Sequence, residues 1–463
     1  MEEIIMTKDM TEGSPFRLIL SFAIPLLMGL LFQQFYSVID TIIVGKFLGS
    51  EALAAVGSMG SVNFFVIGFC MGLCNGFAIP VAQQFGAKKY TALRRFVANS
   101  GWLCVIFSIL ITLSTMLLCR SILVLMRTPE DIFQDAYAYI FIIFAGIPAT
   151  FLYNMLSGII RSLGDSKTPV VFLALSSFVN IALDIIFIYY FHSGVAGAAY
   201  ATVISQLISG ILCFLFMRKK YDILCMEKEE WRFDRHYASI LCGMGIPMGL
   251  QYSITAIGSV VVQTAVNSLG TMYISSVTAA SKLSCFFCCP FDAMGSTMAT
   301  YGGQNVGAGK IERLGHGLRA CIILGAGYSV LALAVYLFFS PQLILLFVDA
   351  SETELIANAR TFLVINGLFY FPLSLVNIIR FLIQGMGFSR FAILSGVFEM
   401  IARTAVGYIF VPIFGYYAVC TANPAAWILA DIFLIPAYWL CVKKLKKQLK
   451  QMTQEVHMST KLA

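Results

Sequence analysis

Two carboxylates, Asp40 and Asp184, stand inside long apolar stretches of the chain. Asn180 precedes Asp184 by four residues and therefore shares one face of a helix with it, and Thr202 lies in the next apolar stretch. Oxygen atoms of this kind bind small hard cations. Two carboxylates at close range can also share one proton, because both are not readily ionised together. The pattern indicates a binding site for Na⁺ or for a proton.

Composition assigns the chain to the class of membrane proteins. Of its 463 residues, 59% are hydrophobic and only 12% are charged, and the mean hydropathy is +0.84. Soluble domains carry about 25% charged residues, so most of this surface must face something other than water. A charge inside hydrocarbon costs at least ~2.5–3.5 kcal/mol, which makes each intramembrane acid a candidate functional residue.

Apolar windows long enough to cross a ~30 Å hydrocarbon core recur along the whole chain. They predict an all-α polytopic protein with twelve spans, near residues 16–44, 53–78, 93–117, 134–160, 169–191, 195–217, 237–262, 274–300, 316–339, 355–380, 391–412 and 418–441. The first apolar stretch is too long for a cleaved signal and is expected to remain as a membrane helix. Pro25 within it predicts a kink or a tilt.

Lys and Arg predict the orientation of these spans. With the N-terminus inside, nearly all of the 31 basic residues fall in cytoplasmic segments, and the exceptions are Lys46, Arg120, Arg127 and Arg360 outside and Lys282 and Arg403 within spans 8 and 11. This bias follows the positive-inside rule. Both termini are therefore expected in the cytoplasm, and the net charge of +7 indicates topology rather than a nucleic-acid partner.

The second half of the chain repeats the first at a separation of about 222 residues. Ile24-Pro25 matches Ile246-Pro247, and further matches are Gln83 with Gln304, Asn154 with Asn377 and Gly164 with Gly387. Six spans in each half require parallel repeats. The predicted parts are a cytoplasmic segment 1–14, an N-terminal lobe 15–218, a linker 219–236, a C-terminal lobe 237–441 and a basic cytoplasmic tail 442–463.

Depth along the predicted helices brings the polar residues together. Asp184 lies about 10 Å below the outer end of span 5, Thr202 reaches nearly the same depth in span 6, and Asp40 lies about four residues from the outer end of span 1. The repeat positions of Asp40, Asn180, Asp184 and Thr202 are Val262, Arg403, Gly407 and Ala425. Coupling to a cation is therefore expected in the N-terminal lobe only.

Four segments, read in order, resemble a known family. Residues 33–45 read QQFYSVIDTIIVG, 81–87 read VAQQFGA, 161–169 read RSLGDSKTP and 180–184 read NIALD. Together they resemble the multidrug and toxic compound extrusion (MATE) family of cation-coupled exporters. The resemblance implies a cation-coupling role for Asp40, Asn180, Asp184 and Thr202, and Asn154, which matches a polar position of the family's N-lobe cavity, is expected in the same cation-coupling set.

Other polar residues in the spans have more than one interpretation. We expect the face of span 1 near Asp40 to line the substrate cavity, through Gln33, Gln34, Tyr36 and Ser37. Lys282 either competes with the bound cation or extends to the membrane surface. Glu399 and Arg403, four residues apart, can form an ion pair within one helix, which is either structural or functional. Asp292 and Asp431 are further intramembrane acids without an assigned partner.

The sequence therefore predicts a transporter in the cell membrane, not an enzyme. The expected function is export of organic, cationic or amphipathic compounds by antiport against Na⁺ or H⁺, with alternating access between two lobes. Cysteine and histidine spacings indicate no metal site, and no nucleotide-binding motif is present. No cofactor is expected beyond the coupling ion, and the partners are small organic molecules and membrane lipids, with the monomer as the functional unit. The alternative is a flippase for a lipid-linked saccharide or another lipid.

Overall fold

The computed structural model describes residues 9–126 and 128–462, and within these ranges every regular element is a helix. Arg127 and most of the predicted segment 1–14 lie outside the described residues. The helices are α1 (Pro15–Leu48), α2 (Ser50–Ser58), α3 (Gly60–Gly86), α4 (Tyr90–Leu125), α5 (Glu130–Ala145), α6 (Ile147–Ser162), α7 (Lys167–Ile185), α8 (Gly194–Lys220), α9 (Arg235–Asn267), α10 (Thr271–Gly307), α11 (Glu312–Ile344), α12 (Thr353–Leu368), α13 (Tyr370–Gly385), α14 (Ser389–Ala405), α15 (Val411–Phe414) and α16 (Tyr416–Leu462).

These helices account for the predicted spans. Among the described residues, ten helical segments are long and apolar enough to cross a membrane, and two bent helix pairs raise the number to twelve. The prediction of twelve spans is confirmed when each bent helix pair is counted as one span. Spans 4 and 10 were predicted as continuous, and this was wrong, because α5 and α6 meet at 46° and α12 and α13 meet at 51°.

The two breaks have a local cause and occupy equivalent places in the repeat. Gly146 separates α5 from α6, and Phe369 separates α12 from α13, at the separation found for the sequence matches. Pro148 and Pro372 follow the breaks. Proline lacks a backbone N–H and cannot continue the hydrogen-bond ladder of the preceding helix.

Single π-helical turns occur in both halves as well. Ile186–Tyr190 follows α7, and Val406–Phe410 follows α14. A π turn inserts one residue per turn and re-aims the side chains beside it, and such turns are often found at functional sites. The duplication read from the sequence is thus visible in local structure.

The chain divides into two compact units. Within the described residues, the N-terminal unit comprises residues 24–81 and 89–256, and the C-terminal unit comprises 9–23, 82–88 and 257–462. The division lies inside α1 next to Pro25 and inside α9, so it does not follow the limits predicted for the two lobes, which stay a prediction.

Small and hydroxylated residues hold the helices of the N-terminal unit together. The Ser176 hydroxyl donates to the Ser205 carbonyl at 2.8 Å, and the Ser209 hydroxyl donates to the Phe172 carbonyl at 2.7 Å, which joins α7 to α8. Thr150 on α6 donates to the Gln206 side chain on α8 at 2.6 Å. Such bonds and small side chains replace the hydrophobic effect as the cause of helix association in lipid.

The connection between α8 and α9 is docked on the N-terminal unit. Glu230 forms an ion pair with Arg94 at 2.7 Å, and the Trp102 indole donates to the Trp231 carbonyl at 2.8 Å. The hydrogen bond from Arg94 holds the pKa of Glu230 below its ordinary value. The predicted linker 219–236 is therefore held in place by specific contacts over part of its length.

The segment before α1 is held by the C-terminal unit. Met10 is fully buried, its N–H donates to the Gln304 side chain at 2.8 Å, and its carbonyl accepts from Asn305 at 3.2 Å. In the same unit, the last turns of α3 and α10 touch backbone to backbone. A Cβ on Gly307 would collide with the Gln83 carbonyl, so only glycine allows this approach.

Candidate cation-coupling site

Close packing of α1 on α7 creates the site in the N-terminal unit. A Cβ on Gly29 would lie 2.8 Å from Val170 Cγ2, so the glycine lets the two helices approach closely. Asp40 follows Gly29 by eleven residues on α1, and Asp184 follows Val170 by fourteen residues on α7. About three to four helical turns beyond the contact, the two carboxyl groups therefore reach similar heights.

The structure brings the carboxyl groups of Asp40 and Asp184 together. They lie within range of direct side-chain interaction. Asp184 is fully buried and Asp40 is half-buried. Both oxygens of Asp184 and Oδ1 of Asp40 lack a hydrogen-bond partner among the described residues. Buried acceptors without donors are costly, so this pair is suited to gain a proton or a small cation.

Asn180 completes a polar face on α7 below Asp184. Its side chain is buried with 2% exposure, and neither its amide oxygen nor its amide nitrogen has a partner among the described side chains. The amide oxygen thus adds a fourth oxygen without a described partner in the same part of the unit. The arrangement fits a Na⁺ ligand set, and equally a proton shared between the two acids.

Aromatic hydroxyl groups border the acid pair. Tyr36 on α1 interacts with Gln33 and lies within electrostatic range of Asp40 and Asp184. Tyr139 on α5 is buried and lies within range of the same two acids. Sequence reasoning did not find Tyr139. The only signal in the sequence is that a residue with a hydroxyl group lies deep within span 4. This signal is weak, because tyrosine is common in membrane spans.

Four predicted site residues lie outside the described contacts of the acid pair. The Thr202 hydroxyl donates to the Ala198 carbonyl at 3.1 Å, and the Asn154 amide donates to the Thr150 carbonyl at 2.8 Å, each within its own helix. Gln34 is half-buried and Ser37 is exposed on α1. No described contact joins any of the four to the acid pair, and their roles stay predictions.

The π turn that begins at Ile186 lies directly after the acid. Asp184 is the penultimate residue of α7, so its backbone precedes a turn with a changed hydrogen-bond register. Asp184 therefore lies next to a local change in helix geometry.

The donor set excludes some ion chemistries. Within residues 9–126 and 128–462, no group of three or more His, Cys, Asp or Glu side chains could hold a transition metal. The site instead consists of two carboxylates and a neutral amide. Carboxylate and amide oxygens suit a small hard cation such as Na⁺, and the two carboxylates can also share one proton.

The C-terminal unit contains intramembrane charges of a different kind. Glu399 Oε2 pairs with Arg403 Nη1 at 3.4 Å within α14, as the spacing predicted, and Glu399 Oε1 pairs with Arg380 Nη1 at 3.0 Å. Arg380, the last residue of the predicted span 355–380, lies within α13, which continues to Gly385, and its side chain is buried. Lys282 on α10 is exposed, and its role stays a prediction.

The fold and these sites define a multi-pass helical membrane protein. Inside one of its units, two neighbouring carboxyl groups lack hydrogen-bond donors on three of their four oxygens among the described residues. A family profile, MatE, matches the chain twice, at residues 25–186 and 247–409. The chain belongs to the MatE family, as the sequence segments predicted. The two matches are displaced by about 222 residues, which independently confirms the tandem repeat.

Similar proteins cover most of the chain. The probable multidrug resistance protein YpnP of Bacillus subtilis strain 168 is 29% identical over 80% of this chain and 82% of its own. The probable multidrug resistance protein YoeA of the same strain is 28% identical over 77% of this chain and 79% of its own. A protein of Shewanella oneidensis described as an FAD transporter is 22% identical over 78% of this chain and 80% of its own.

Solved structures show the same fold. The crystal structure of MATE in complex with MaL6 has a TM-score of 0.88 at 23% identity and covers 95% of this chain and 99% of its own. A transporter of the MOP superfamily from Pyrococcus furiosus has a TM-score of 0.87 at 22% identity, with 96% and 98% covered. The all-helical fold of twelve spans in two lobes is confirmed by these matches.

Family membership settles the general class of function. The chain is a multi-pass membrane protein that transports small molecules, and it is not an enzyme. Transporters of this family use coupling ions, so a coupling ion is expected here too. In bacteria the location is the plasma membrane. The comparisons favour this function over the flippase alternative.

Proposed function

We propose that this protein exports organic cations or amphipathic compounds by antiport, with one monovalent cation entering at Asp40 and Asp184. The observation that carries the proposal is the acid pair itself, because three of its four carboxyl oxygens lack hydrogen-bond partners among the described residues. An acid retained at lipid depth is expensive unless it serves transport. The names of the multidrug resistance relatives support the substrate class.

The free energy of one cation is sufficient for this task. A cation entering down a potential of 100 mV releases about 2.3 kcal/mol. This energy supports a concentration ratio of roughly fifty for an uncharged substrate. The cation binds near Asp40 and Asp184 from outside and favours release of substrate to the outside. Return of the cation-bound, substrate-free lobes to the inward-open state then releases the cation to the inside.

Three groups of residues have assigned places in this cycle. Asp40, Asp184 and Asn180 contact the ion directly. Tyr36 and Tyr139 border the ion through their hydroxyl groups, and Gln33 orients Tyr36. Asn154, Thr202, Gln34 and Ser37 belong to the surrounding cavity. Alternating access is assigned to the lobes 15–218 and 237–441, and the active form is the monomer.

The proposed topology places both termini and the linker 219–236 in the cytoplasm. It rests on the basic residues that flank the spans, such as Arg218, Lys219 and Lys220 at the end of α8. Labelling of single introduced cysteines with a membrane-impermeant reagent tests it. Cysteines in the tail 442–463 of intact cells should be protected, and labelling there would reverse the topology.

Transport by the purified protein in proteoliposomes tests the function. Vesicles loaded with a fluorescent organic cation receive a pH gradient, a Na⁺ gradient or neither. The wild type should move the dye only with one of the two gradients, and that gradient identifies the coupling ion. Asp40→Asn should abolish the gradient dependence, whereas Asp131→Asn, a change of an exposed acid in the first turn of α5, should not. Dye movement by Asp40→Asn that equals the wild type would refute the assignment.

A further inference from the structure

A cavity of about 560 Å³ lies in the C-terminal unit, between the connection from α10 to α11 and the part of α16 beyond its apolar stretch. Four basic side chains line it, namely Lys310, Arg313, Lys446 and Lys450. Its volume falls in the range of about 300–1,000 Å³ that is usual for ligand sites. Positive charge concentrated around a cavity of this size is suited to an anionic ligand.

The cavity exists because α16 is longer than its counterpart in the repeat. α8 ends at Lys220, which corresponds to Val442 at the repeat separation of about 222 residues, whereas α16 continues to Leu462. The extension packs on the connection between α10 and α11, where a Cβ on Gly309 would lie 3.7 Å from Leu449 Cδ1. One wall of the cavity is therefore an addition that α8 does not provide.

The cavity keeps an excess of positive charge when the nearby acids are counted. Glu312 also lines it, and Glu12 reaches Lys310 at 3.5 Å, although the Glu12 side chain is 72% exposed. Four basic side chains against two acids leave two positive charges. Lys446 and Lys450 are exposed, and neither forms an ion pair within the described residues. An incoming anion therefore meets two lysines without a described counter-ion.

Lys310 and Arg313 form a fixed wall opposite α16. The Lys310 ammonium donates to the Thr11 carbonyl at 3.0 Å. Arg313 donates through Nη2 to the Gly13 carbonyl at 2.9 Å and through Nε to the Asn305 side chain at 3.1 Å. These acceptors are uncharged, so the bonds hold the two side chains in place without compensating their charge. Side chains that are already ordered lose little further freedom when a ligand binds.

The face of α16 that carries the two lysines also faces the membrane. Lys446 and Lys450 follow Trp439 by seven and eleven residues, close to two and three helical turns, so the three side chains lie on one face. Trp439 is 67% exposed, and tryptophan near the end of a membrane span typically lies at headgroup level. Helical side chains tilt toward the N-terminus of their helix, so both lysines reach back toward the membrane surface. The cavity therefore opens where lipid headgroups lie.

We propose that this cavity binds the headgroup of an anionic phospholipid, such as phosphatidylglycerol, in the leaflet where α16 leaves the membrane. The lipid phosphate accepts hydrogen bonds from Lys446 and Lys450. Lys310 and Arg313 supply the positive wall opposite, and the acyl chains follow the exposed face of α16 at Trp439. Basic pockets between membrane helices hold anionic headgroups in this way. The proposal does not depend on antiport, because the acid pair belongs to the other unit.

Native mass spectrometry of the full-length protein in an uncharged detergent tests the lipid specificity. With equal amounts of phosphatidylglycerol and phosphatidylcholine added, the wild type should retain one molecule of phosphatidylglycerol in preference. Glycerol phosphate, the soluble headgroup, should not displace this lipid when added in excess, because it lacks the acyl chains that hold a lipid on an apolar surface. Equal retention of both lipids would overturn the proposal, and displacement by glycerol phosphate would assign the cavity to a soluble anion instead.

Paired variants locate the site. Lys446→Gln with Lys450→Gln should weaken retention of phosphatidylglycerol by roughly thirtyfold, because each basic residue near an anionic headgroup contributes about fivefold in affinity. Lys219→Gln with Lys220→Gln removes the same charge from exposed positions at the end of α8 and should leave retention unchanged. All four lysines are exposed, so both variants should unfold at the wild-type temperature. Loss of the lipid in both paired variants, or in neither, would contradict the proposal.

Discussion

Replacement of Glu399 by glutamine should destabilise the protein strongly. Glu399 is the shared counter-ion of two buried arginines, at 3.0 Å and 3.4 Å. Glu399→Gln keeps the shape but leaves Arg380 and Arg403 facing each other without the negative charge between them. Breaking a buried ion pair by removing one partner costs about 3–5 kcal/mol, a change of roughly two to four orders of magnitude in the folding equilibrium.

Thermal unfolding of detergent-purified protein measures this effect with a thiol-reactive fluorescent dye. Nine of the thirteen cysteines are buried, so unfolding exposes most of the thiols and gives a large signal. We expect Glu399→Gln to unfold well below the wild type. The exposed Glu354 on α12 provides the matched control, and Glu354→Gln should unfold like the wild type.

A second change tests the physical reason. In Glu399→Gln with Arg403→Gln, one of the two uncompensated arginines is removed, so part of the lost stability should return. If Glu399→Gln unfolds at the same temperature as Glu354→Gln, the reasoning that the pair is buried and desolvated is refuted. If the double variant is less stable than the single one, the charge argument fails even though the site is structurally important.

Three further perturbations have defined outcomes. Tyr139→Phe should weaken the apparent affinity for the coupling ion by roughly three- to tenfold, the worth of about one hydrogen bond, with little change in maximal transport, and Tyr137→Phe should have no effect. Gly307→Ala should lower the yield of folded protein, because the new Cβ meets the Gln83 carbonyl, whereas Gly315→Ala has free space and should fold normally. Because Arg94 lowers the pKa of Glu230, the docking of the linker should be stable above the unfolded pKa of about 4.3 and weaken as the pH falls below it. Tryptophan fluorescence should report this weakening, and Glu230→Gln should show the weakened state already at neutral pH.

The architecture could be predicted from the sequence because the bilayer determines two features of it. Its thickness determines the length of the apolar stretches, and the positive-inside rule determines where the basic residues beside them lie. The twelve spans and the repeat followed from these signals. The breaks after Ala145 and Leu368 could not be located in this way. Hydropathy averages over a window, and Pro148 alone does not reveal whether a helix bends or tilts.

The acid pair could be predicted because only Asp40 and Asp184 combine charge with matching depth in the first half. Tyr139 could not, because a tyrosine is ordinary in a membrane helix and its position depends on how α5 packs. The ion pairs of Arg380 could not be predicted, because the predicted span ended at this residue, whereas the helix continues by five residues to Gly385. The charge cluster of Arg380, Glu399 and Arg403 depends on this arginine, so it became visible only in three dimensions.

The central claim is that Asp40 and Asp184 couple transport to an ion, and uphill transport tests it most directly. In proteoliposomes with the effective ion gradient, Asp184→Asn should fail to accumulate substrate against its gradient. The same variant should still exchange substrate down its gradient in a counterflow assay, because the passage itself is intact. Uphill accumulation by Asp184→Asn at the wild-type level would contradict the account.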